Sequence, residues 1–506
     1  MTLSFATVRA RSDSWLAAYL PAILLFILTL GLRAYRLSAD PLWLDEIYGF
    51  LLCQRGLAAI LENSLYDPHP PLYYLFQWVV SGFGGYSNEW AWRWPSVLFG
   101  SLTIPLVYAN ASRITNRTSA FLGAVLLVIS PAHLFYSQEA RAFAFITFLA
   151  ALSPLLIWEI HKTPHGKRAW IGLALLTVVG LYSSYSYFII AAIQMAYLVV
   201  CFPKLRLLYL YLAIIIVSIL PLTLPMLLSM SNTLQKNLDT QALTILRITQ
   251  SLLAGEPVRY GLAWYHTWMP LILGICTVPG IWICLNKSAK GTVGLYFVIQ
   301  LLLPPIVYSL GAGVANIQLP LSESKQFISL LPSLFIIVSA GLYFFQHRLP
   351  QFAFVSIAGV MIGLVATGSI MGIMRYWSIT KSPEGLAAQH VMERVQDGDV
   401  VVSTHYSLDF ALSFYYPKDN VYVGPRVVGD RMTFSGISVE TTNPEDLPAE
   451  SHQLDLESIR AYPRLWVLTR PHVTQSVDMQ ISTGCDRLDT WDFPPFQVEL
   501  LANCSD

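Results

Sequence analysis

Long apolar stretches separated by short polar connections dominate this sequence. A membrane-spanning helix needs roughly 20 apolar residues at a rise of about 1.5 Å per residue. Eleven stretches come near that length, at residues 15–35, 93–112, 118–136, 142–160, 168–184, 186–202, 207–229, 264–285, 292–311, 327–346 and 352–374. Only 12% of the residues are charged, against about 25% in soluble proteins. The sequence therefore predicts an α-helical polytopic membrane protein with about 11 transmembrane helices.

Charge and cysteine content exclude some kinds of site. The chain has 31 basic and 31 acidic residues, and no basic block with interleaved aromatic residues, so no nucleic-acid partner is expected. Its six cysteines lack the spacing of a metal site. Residues 15–35 are too long for a removed signal peptide and lack a small-residue cleavage site, so we interpret them as a membrane anchor.

Every second connection between the apolar stretches is short and basic. These connections hold Arg9, Arg11, Arg113, Arg117, Lys162, Lys167, Arg168, Lys204, Arg206, Lys287, Lys290 and Arg348. Short basic loops face the cytoplasm. We therefore expect a multi-pass protein of the cell (inner or plasma) membrane, with its N-terminus in the cytoplasm and its C-terminus outside it.

Composition divides the chain into two predicted domains. Residues 1–377 form the transmembrane module, with a long first extracytoplasmic loop at 36–92, and residues 378–506 form a small extracytoplasmic α/β domain. In this domain EGLAAQHVMERVQ and SLDFALSFYY predict helices, and DVVVST and RLWVLTR predict buried strands. Cys485 and Cys504 can pair if the compartment is oxidising.

Two adjacent acids follow the first apolar stretch. In LWLDEIYG, residues 42–49, Asp45 and Glu46 lie among aromatic and apolar neighbours. An interfacial loop with solvated acids explains the aromatic residues well, but it explains the adjacent acids less well, since no basic residue is close in sequence. A positioned carboxylate can act as a general base. Asp45 and Glu46 are therefore candidate catalytic residues.

Two basic residues lie where the chain approaches the membrane from outside. His69 precedes a proline pair and a short stretch that predicts an interfacial helix, within residues 66–84. It either caps that helix or binds phosphate or a metal. Arg93, in WRWPSVLFG, opens the second span, where it either reaches to the interface or binds phosphate.

A further polar cluster follows Ser130–Pro131, in SPAHLFYSQEARAF. Glu139 and Arg141 either form a surface ion pair worth under about 1 kcal/mol, or have a function, because charges at bilayer depth are costly. Carboxylates from two loops can jointly hold a divalent cation. Glu139 and Asp45 are therefore candidate ligands for Mg²⁺ or Mn²⁺.

Taken in order, the DE pair, HPPLYY, RWPSVLFG and SP…YSQEAR resemble the motifs of the family 39 integral-membrane glycosyltransferases. These enzymes belong to the GT-C superfamily, with protein O-mannosyltransferases and aminoarabinose transferases, and the match covers roughly residues 33–150. The resemblance implies a GT-C fold and a sugar donor on a polyprenyl phosphate. It also implies that Asp45 is the catalytic base or its close partner, and that Glu139 contributes to a metal or acceptor site. His69 stands where relatives have a basic or polar residue.

One stretch departs from the pattern of that family. In ESKQFISLLPSL, Lys325 and Phe327 stand where relatives commonly have an arginine and a tyrosine. Lysine keeps the charge but lacks the planar fork that binds phosphate through two hydrogen bonds. Lys325 is retained, with His69, Arg93 and Arg141, as a candidate ligand of the donor phosphate.

The predicted function is transfer of a sugar from polyprenyl phosphate to an acceptor hydroxyl, with inversion, at the outer face of the membrane. The acceptor can be a protein, a lipid, a polysaccharide or another glycan. This function requires Asp45, Glu139 and at least one of the cations Arg93, Arg141 and Lys325 to meet in one cavity. One alternative is a lipid-sugar transporter or flippase, which needs polar or broken helices near the bilayer midplane. Another is a non-enzymatic assembly or sensor protein, which leaves the four motifs unexplained.

Overall fold

The structure, a computed structural model, consists of two compact units. Unit 1 comprises Met1–Leu37 and Cys53–Ser378, and unit 2 comprises Ser38–Leu52 and Ile379–Asp506. The residues it describes are 20–64, 69–82, 88–236, 263–286, 293–314, 324–378, 380–396, 398–403, 405–415, 421–423, 425–428, 431–434, 463–471 and 481–504.

Unit 1 is helical throughout its described part. In chain order its helices are α1 (Leu20–Ala34), α2 (Leu44–Gln54, shared with unit 2), α3 (Gly56–Asn63), α4 (Leu72–Val80), α5 (Glu89–Ile114), α6 (Arg117–Val128), α7 (Pro131–Ser137), α8 (Phe143–Lys162), α9 (Lys167–Ser183), α10 (Tyr187–Cys201), α11 (Arg206–Lys236), α12 (Ala263–Asn286), α13 (Val293–Val314), α14 (Leu331–Arg348) and α15 (Gln351–Ser378). A 3₁₀ helix over Ser324–Leu330 precedes α14.

Each of the eleven predicted apolar stretches corresponds to a helix or a helix pair. Among the described residues, five helices are long and apolar enough to cross a membrane, and six if the bent pair α6–α7 counts as one span. Shorter apolar helices are Leu20–Ala34, Tyr187–Cys201, Arg206–Leu222 and Val293–Val307. The prediction of a helical, multi-pass membrane protein is confirmed.

The third predicted span is broken where the sequence has Ser130–Pro131. Helices α6 and α7 meet there at 61°. Ser130 caps α7, because its side chain accepts a hydrogen bond from the backbone N–H of His133. Pro131 occupies the first turn, where its missing N–H costs nothing. The break turns the chain toward Gln138, Glu139 and Arg141.

Glycines allow α12 and α14 to pack at close range. A Cβ on Gly280 would overlap the carbonyl oxygen of Ile337, and one on Gly341 would overlap that of Cys276. Small residues at such crossings let helix backbones approach in membranes, where van der Waals packing drives helix association.

Unit 2 is an α/β unit, as the sequence predicts. Its sheet has the order β2-β1-β5-β7-β6, with β1 (Val400–Ser403) parallel to β2 (Val421–Val423) and β5 (Arg464–Thr469). Strand β7 (Phe496–Ala502) is antiparallel to β5 and to β6 (Asp486–Phe493), and β3 (Pro425–Val428) pairs with β4 (Arg431–Phe434). Helices α16 (Pro383–Arg394) and α17 (Tyr406–Tyr415) complete the unit. Cys485 and Cys504 form a disulfide.

The division into units differs from the sequence-based one in a single segment. Residues 38–52, which the sequence analysis assigned to the transmembrane module, belong to unit 2. Leu42 and Ile47 are fully buried in a cluster with Ala387, Ala388 and Val391 of α16. Burial of these apolar side chains explains why the segment that carries the two acids packs with the C-terminal domain.

Candidate active site

The two acids of LWLDEIYG lie in the first turn of α2, but their side chains differ in environment. Glu46 is 1% exposed, and its Oε2 accepts a hydrogen bond of 3.3 Å from the backbone N–H of Trp43. This is the acidic half of a capping box, which satisfies an N–H at the helix start. Asp45 is partly exposed. Glu46 therefore has a structural role at the start of α2, and the catalytic roles of Asp45 and Glu46 stay predictions.

A third carboxyl group lies at the start of the same helix. Glu384, in the first turn of α16, accepts a hydrogen bond from the N–H of Leu44 with Oε1, at 3.3 Å. Burial raises the pKa of Glu384, and the negative charge of Asp45 raises it further. The sequence analysis did not identify this residue, because 340 positions separate it from Leu44.

In unit 1, the structure brings His69 and Arg141 together. Nη2 of Arg141 and Nε2 of His69 are 2.8 Å apart. A guanidinium group can only donate, so Nε2 accepts and the imidazole is neutral in this arrangement. Arg141 is 8% exposed and its guanidinium carbon lies 5.5 Å from the centre of the Phe143 ring. The guanidinium is thus held from two sides.

A chain of polar side chains supports the same turn. The amide group of Gln77 donates to the hydroxyl of Tyr73 and to the carbonyl of Trp92, both at 3.1 Å. The Tyr73 hydroxyl is 3.2 Å from Ser96 Oγ, and Ser96 donates to the carbonyl of Arg141 at 3.4 Å. The HPPLYY and RWPSVLFG motifs therefore both contribute to fixing Arg141.

Glu139 lies two residues before Arg141 in the turn between α7 and α8. It is 2% exposed, and its carbonyl accepts a hydrogen bond of 2.8 Å from the N–H of Arg141. The turn therefore carries a buried acid and a buried base two residues apart. Glu139 belongs to unit 1 and Asp45 to unit 2, so the meeting of the two acids stays a prediction.

Arg93 is also buried, at 2% exposure. Its Nη1 donates a hydrogen bond of 2.8 Å to the carbonyl of Leu37, just after α1. Lys325 lies in the 3₁₀ helix that precedes α14. The position of its side chain is outside the described residues, and its part in phosphate binding stays a prediction.

Arg33 is a buried structural residue that the sequence analysis missed. It is fully buried, and it donates to Ser137 Oγ at 3.2 Å and to the Val128 carbonyl at 3.4 Å. Its Nη2 is 2.7 Å from Nδ1 of His133. Gln138 in turn donates to the Arg33 carbonyl at 2.8 Å. Arg33 thus joins the end of α6 to α7 across the break that leads to Glu139.

The predicted metal site at Glu139 and Asp45 stays a prediction. Within the described ranges, no three side chains of His, Cys, Asp or Glu are grouped as ligands for a metal ion. Glu139 and Asp45, the two predicted ligands, belong to different units.

Comparison with known proteins gives matches by family and by structure. Residues 68–228 match a family model described as dolichyl-phosphate-mannose-protein mannosyltransferase. The fold resembles ArnT from Cupriavidus metallidurans in the apo state, with 14% identity and a TM-score of 0.62 over 96% of this chain and 98% of that one. ArnT bound to undecaprenyl phosphate gives 13% identity and a TM-score of 0.60 over the same shares. The fold is that of the GT-C glycosyltransferases.

The GT-C fold extends to a more distant match. The oligosaccharyltransferase AglB from Archaeoglobus fulgidus, in complex with an inhibitory peptide and a dolichol-phosphate, has 11% identity and a TM-score of 0.52. That match covers 79% of this chain and 64% of AglB. No curated protein sequence matches the chain. The predicted resemblance to the GT-C superfamily is confirmed.

Proposed function

We propose that this protein is a membrane glycosyltransferase that moves a sugar from a polyprenyl-phosphate carrier to an acceptor hydroxyl at the extracytoplasmic face. One observation carries the proposal: a GT-C fold over 96% of the chain that retains a partly exposed Asp45 beside a Glu46 occupied in capping. The similar ArnT structure is bound to undecaprenyl phosphate, which supports a donor of that class. A lipid carrier also explains a membrane location, since its phosphate lies at headgroup level.

Asp45 is the proposed general base. The oxygen of the acceptor hydroxyl attacks the anomeric carbon of the sugar while its proton passes to the Asp45 carboxylate. The bond between the anomeric carbon and the phosphate oxygen breaks, and its electron pair leaves with the lipid phosphate. A positioned carboxylate contributes about 10²–10⁴-fold to such a step. Displacement in one step inverts the anomeric centre, which the configuration of the product tests.

Arg141 and Arg93, with Lys325, are the proposed partners of the departing phosphate, and His69 acts on it through Arg141. Negative charge grows on the phosphate as the bond breaks, and preorganised cations stabilise it most in a site that excludes water. An arginine fork matches phosphate geometry through two hydrogen bonds. The hydrogen bond that Arg141 donates to His69 supports this role, because it fixes the direction of the fork.

A divalent cation held by Glu139 and Asp45 stays a separate proposal. Carboxylate oxygens are the ligands that Mg²⁺ and Mn²⁺ prefer. Titration with EDTA, followed by addition of each ion, tests this point. Full transfer at complete chelation would refute a metal requirement and would leave the roles of Asp45 and the arginines intact.

The direct experiment supplies the purified protein with radiolabelled polyprenyl-phosphate sugars and candidate acceptors from the cell envelope. We expect label to move into an acid-stable glycoside and unlabelled lipid phosphate to appear. A flippase would instead carry the labelled lipid across the bilayer of a proteoliposome without cleaving it. Lipid movement with no cleavage, for every donor and acceptor class tried, would overturn the proposal.

The same proposal places unit 2 outside the cytoplasm. Disulfides persist in oxidising compartments, and the Cys485–Cys504 bond supports this side. In sealed spheroplasts, a membrane-impermeant maleimide should label the two cysteines only after reduction from outside. Labelling only after lysis would contradict the orientation, whereas labelling from outside without reduction would contradict the disulfide.

A further inference from the structure

We propose that unit 2 positions the general base, through Ser382, Glu384 and Tyr415 acting on residues 41–46. This inference rests on the proposed function, which assigns proton transfer to Asp45. None of the three residues is proposed to touch the substrate. Each acts on the backbone that leads into α2, so they are positioning residues.

Both backbone polar groups of Leu42 are held by residues from elsewhere in unit 2. Its N–H donates to the hydroxyl of Tyr415 at 2.6 Å, and its carbonyl accepts from Ser382 Oγ at 2.8 Å. Leu42 is fully buried, and buried backbone groups need such partners. These two bonds fix the chain three residues before Asp45.

The Ser382 hydroxyl forms hydrogen bonds to two separate segments of the chain. It accepts a hydrogen bond of 3.0 Å from the N–H of Gly385, which caps α16. The same oxygen donates its proton to Leu42. A hydroxyl has one donor and two acceptor positions, so both bonds can form together. The N-terminus of α16 is therefore tied to the segment that leads to Asp45.

Glu384 acts two residues further along, on Leu44. Its bond to the N–H of Leu44 satisfies one of the backbone groups that a helix leaves open at its N-terminus. The side chain is 7% exposed. Asp45 is close enough to raise the pKa of this carboxyl group. The carboxyl group of Glu384, which is buried, therefore lies near that of Asp45, which is partly exposed, at the start of α2.

Gly385 shows how closely the two segments approach. A Cβ added there would lie 2.5 Å from Cβ of Pro41 and 2.7 Å from Ser382 Oγ. Real side chains do not come this near, so an alanine would push the 41–42 segment away. Apolar contacts continue the attachment along α2, with Tyr48 against Phe410 and Phe50 against Phe414, at ring-centre distances of 6.4 and 4.6 Å.

The test compares E384A, E384Q, Y415F and G385A in the full-length protein with the matched control E393A. Glu393 lies on the same helix and is exposed, paired with Arg394 at the surface. Y415F removes one hydroxyl and keeps the ring, so it preserves the apolar packing of Tyr415 in unit 2. Two quantities are measured: hydrogen exchange of peptides covering residues 38–50, and kcat and KM for transfer.

E384A, Y415F and G385A should each speed exchange of the 38–50 peptides while strands β5 and β7 stay protected. Each should lower kcat about tenfold or more with little change in the donor KM, because a small misplacement of a catalytic group can cost on the order of 10²-fold. E384Q should keep kcat near wild type, since its amide oxygen can still accept from Leu44. E393A should match wild type in both measurements.

The exchange and kinetic results can refute this inference without refuting the proposed function, and the reverse. Unchanged exchange in both E384A and Y415F would overturn the attachment. Faster exchange with unchanged kcat would overturn the positioning role. If the D45N variant were fully active, the role of Asp45 would fail, but the exchange data would still report whether unit 2 holds the segment.

Discussion

His69 and Arg141, 72 residues apart in sequence, are joined by a hydrogen bond of 2.8 Å between Nε2 and Nη2. The imidazole accepts this bond, so its own proton lies on Nδ1 and the ring carries no charge. In unit 1, the positive charge of this pair therefore resides on Arg141. The histidine before the double proline acts as a support for the arginine of the YSQEAR motif.

Replacing His69 should weaken donor binding through Arg141. H69A removes the acceptor, and a hydrogen bond to a charged group is worth about 1.5–3 kcal/mol, so KM for the lipid donor should rise on the order of tenfold or more. H69Q offers an amide oxygen and should restore most of the affinity. The exposed His165 provides the control H165A. Equal KM in H69A and wild type would refute the supporting role.

Arg33 should be required for stability rather than for chemistry. R33M leaves the Ser137 hydroxyl, the Val128 carbonyl and the His133 ring without their donor. Each buried polar group left unsatisfied costs about 1–3 kcal/mol. The melting temperature in detergent should fall by several degrees. The exposed Arg113 gives the control R113A, and a melting temperature of R33M equal to that of R113A would contradict this account.

The crossing of α12 and α14 gives a prediction with a control on the same helix. G280A should destabilise the protein by roughly 1–3 kcal/mol, because the added methyl group overlaps the Ile337 carbonyl. Gly274 has nothing within 4 Å of the added atom, so G274A should be neutral or slightly stabilising. The measurement is the melting temperature of both variants, determined by thermal unfolding in the same detergent. Equal melting temperatures would mean that the helices do not cross this closely.

His405 should make unit 2 less stable in acid. Burial, followed by the charge of Arg470, lowers the pKa of His405 from 6.5 to about 4. Between these values the unfolded chain binds more protons than the folded one, so stability rises with pH through this window and is lost as pH falls. The melting temperature of H405Q should fall less than that of wild type between pH 7 and pH 4.5. The control H165Q should follow wild type, and identical acid sensitivity in H405Q would refute the prediction.

The spans could be predicted from sequence because each is marked by a local run of apolar residues. The turn Ser184–Ser186 between α9 and α10 is short, yet the two runs on either side were separable. The break at Ser130–Pro131 was also visible, since proline cannot donate to the helix. The helices and buried strands of unit 2 followed from the same kind of local pattern.

The partners of the 38–52 segment could not be predicted. Leu42 bonds to Tyr415 and Ser382, which lie 373 and 340 positions away, and no periodicity reports such a pairing. The sequence therefore identified Asp45 as a candidate catalytic residue, but it did not predict the contacts that fix the segment around it. Glu46 did carry a local signal, because an acid three residues after a helix start is typical of a capping box.

Arg33 was missed because a lone arginine near the end of an apolar run is usually explained by a side chain that reaches to the interface. Its burial depends on Ser137 and His133, about one hundred residues further on. The signal that could have found it is the polar set His133, Ser137 and Gln138 just after the break. Buried polar side chains within a membrane protein need hydrogen-bond partners. For these three residues, the partner is Arg33.

The most direct test of the account is the transfer rate of D45N, measured with purified protein, radiolabelled polyprenyl-phosphate sugar and an accepted acceptor. Asp489 is exposed on β6 in the same unit, and D489N is the matched control. We predict that D45N loses at least about 10²-fold in kcat at normal expression and unchanged melting temperature, while D489N transfers as wild type. Full transfer by a folded D45N would contradict the assignment of the general base and, with it, the account of how this site works.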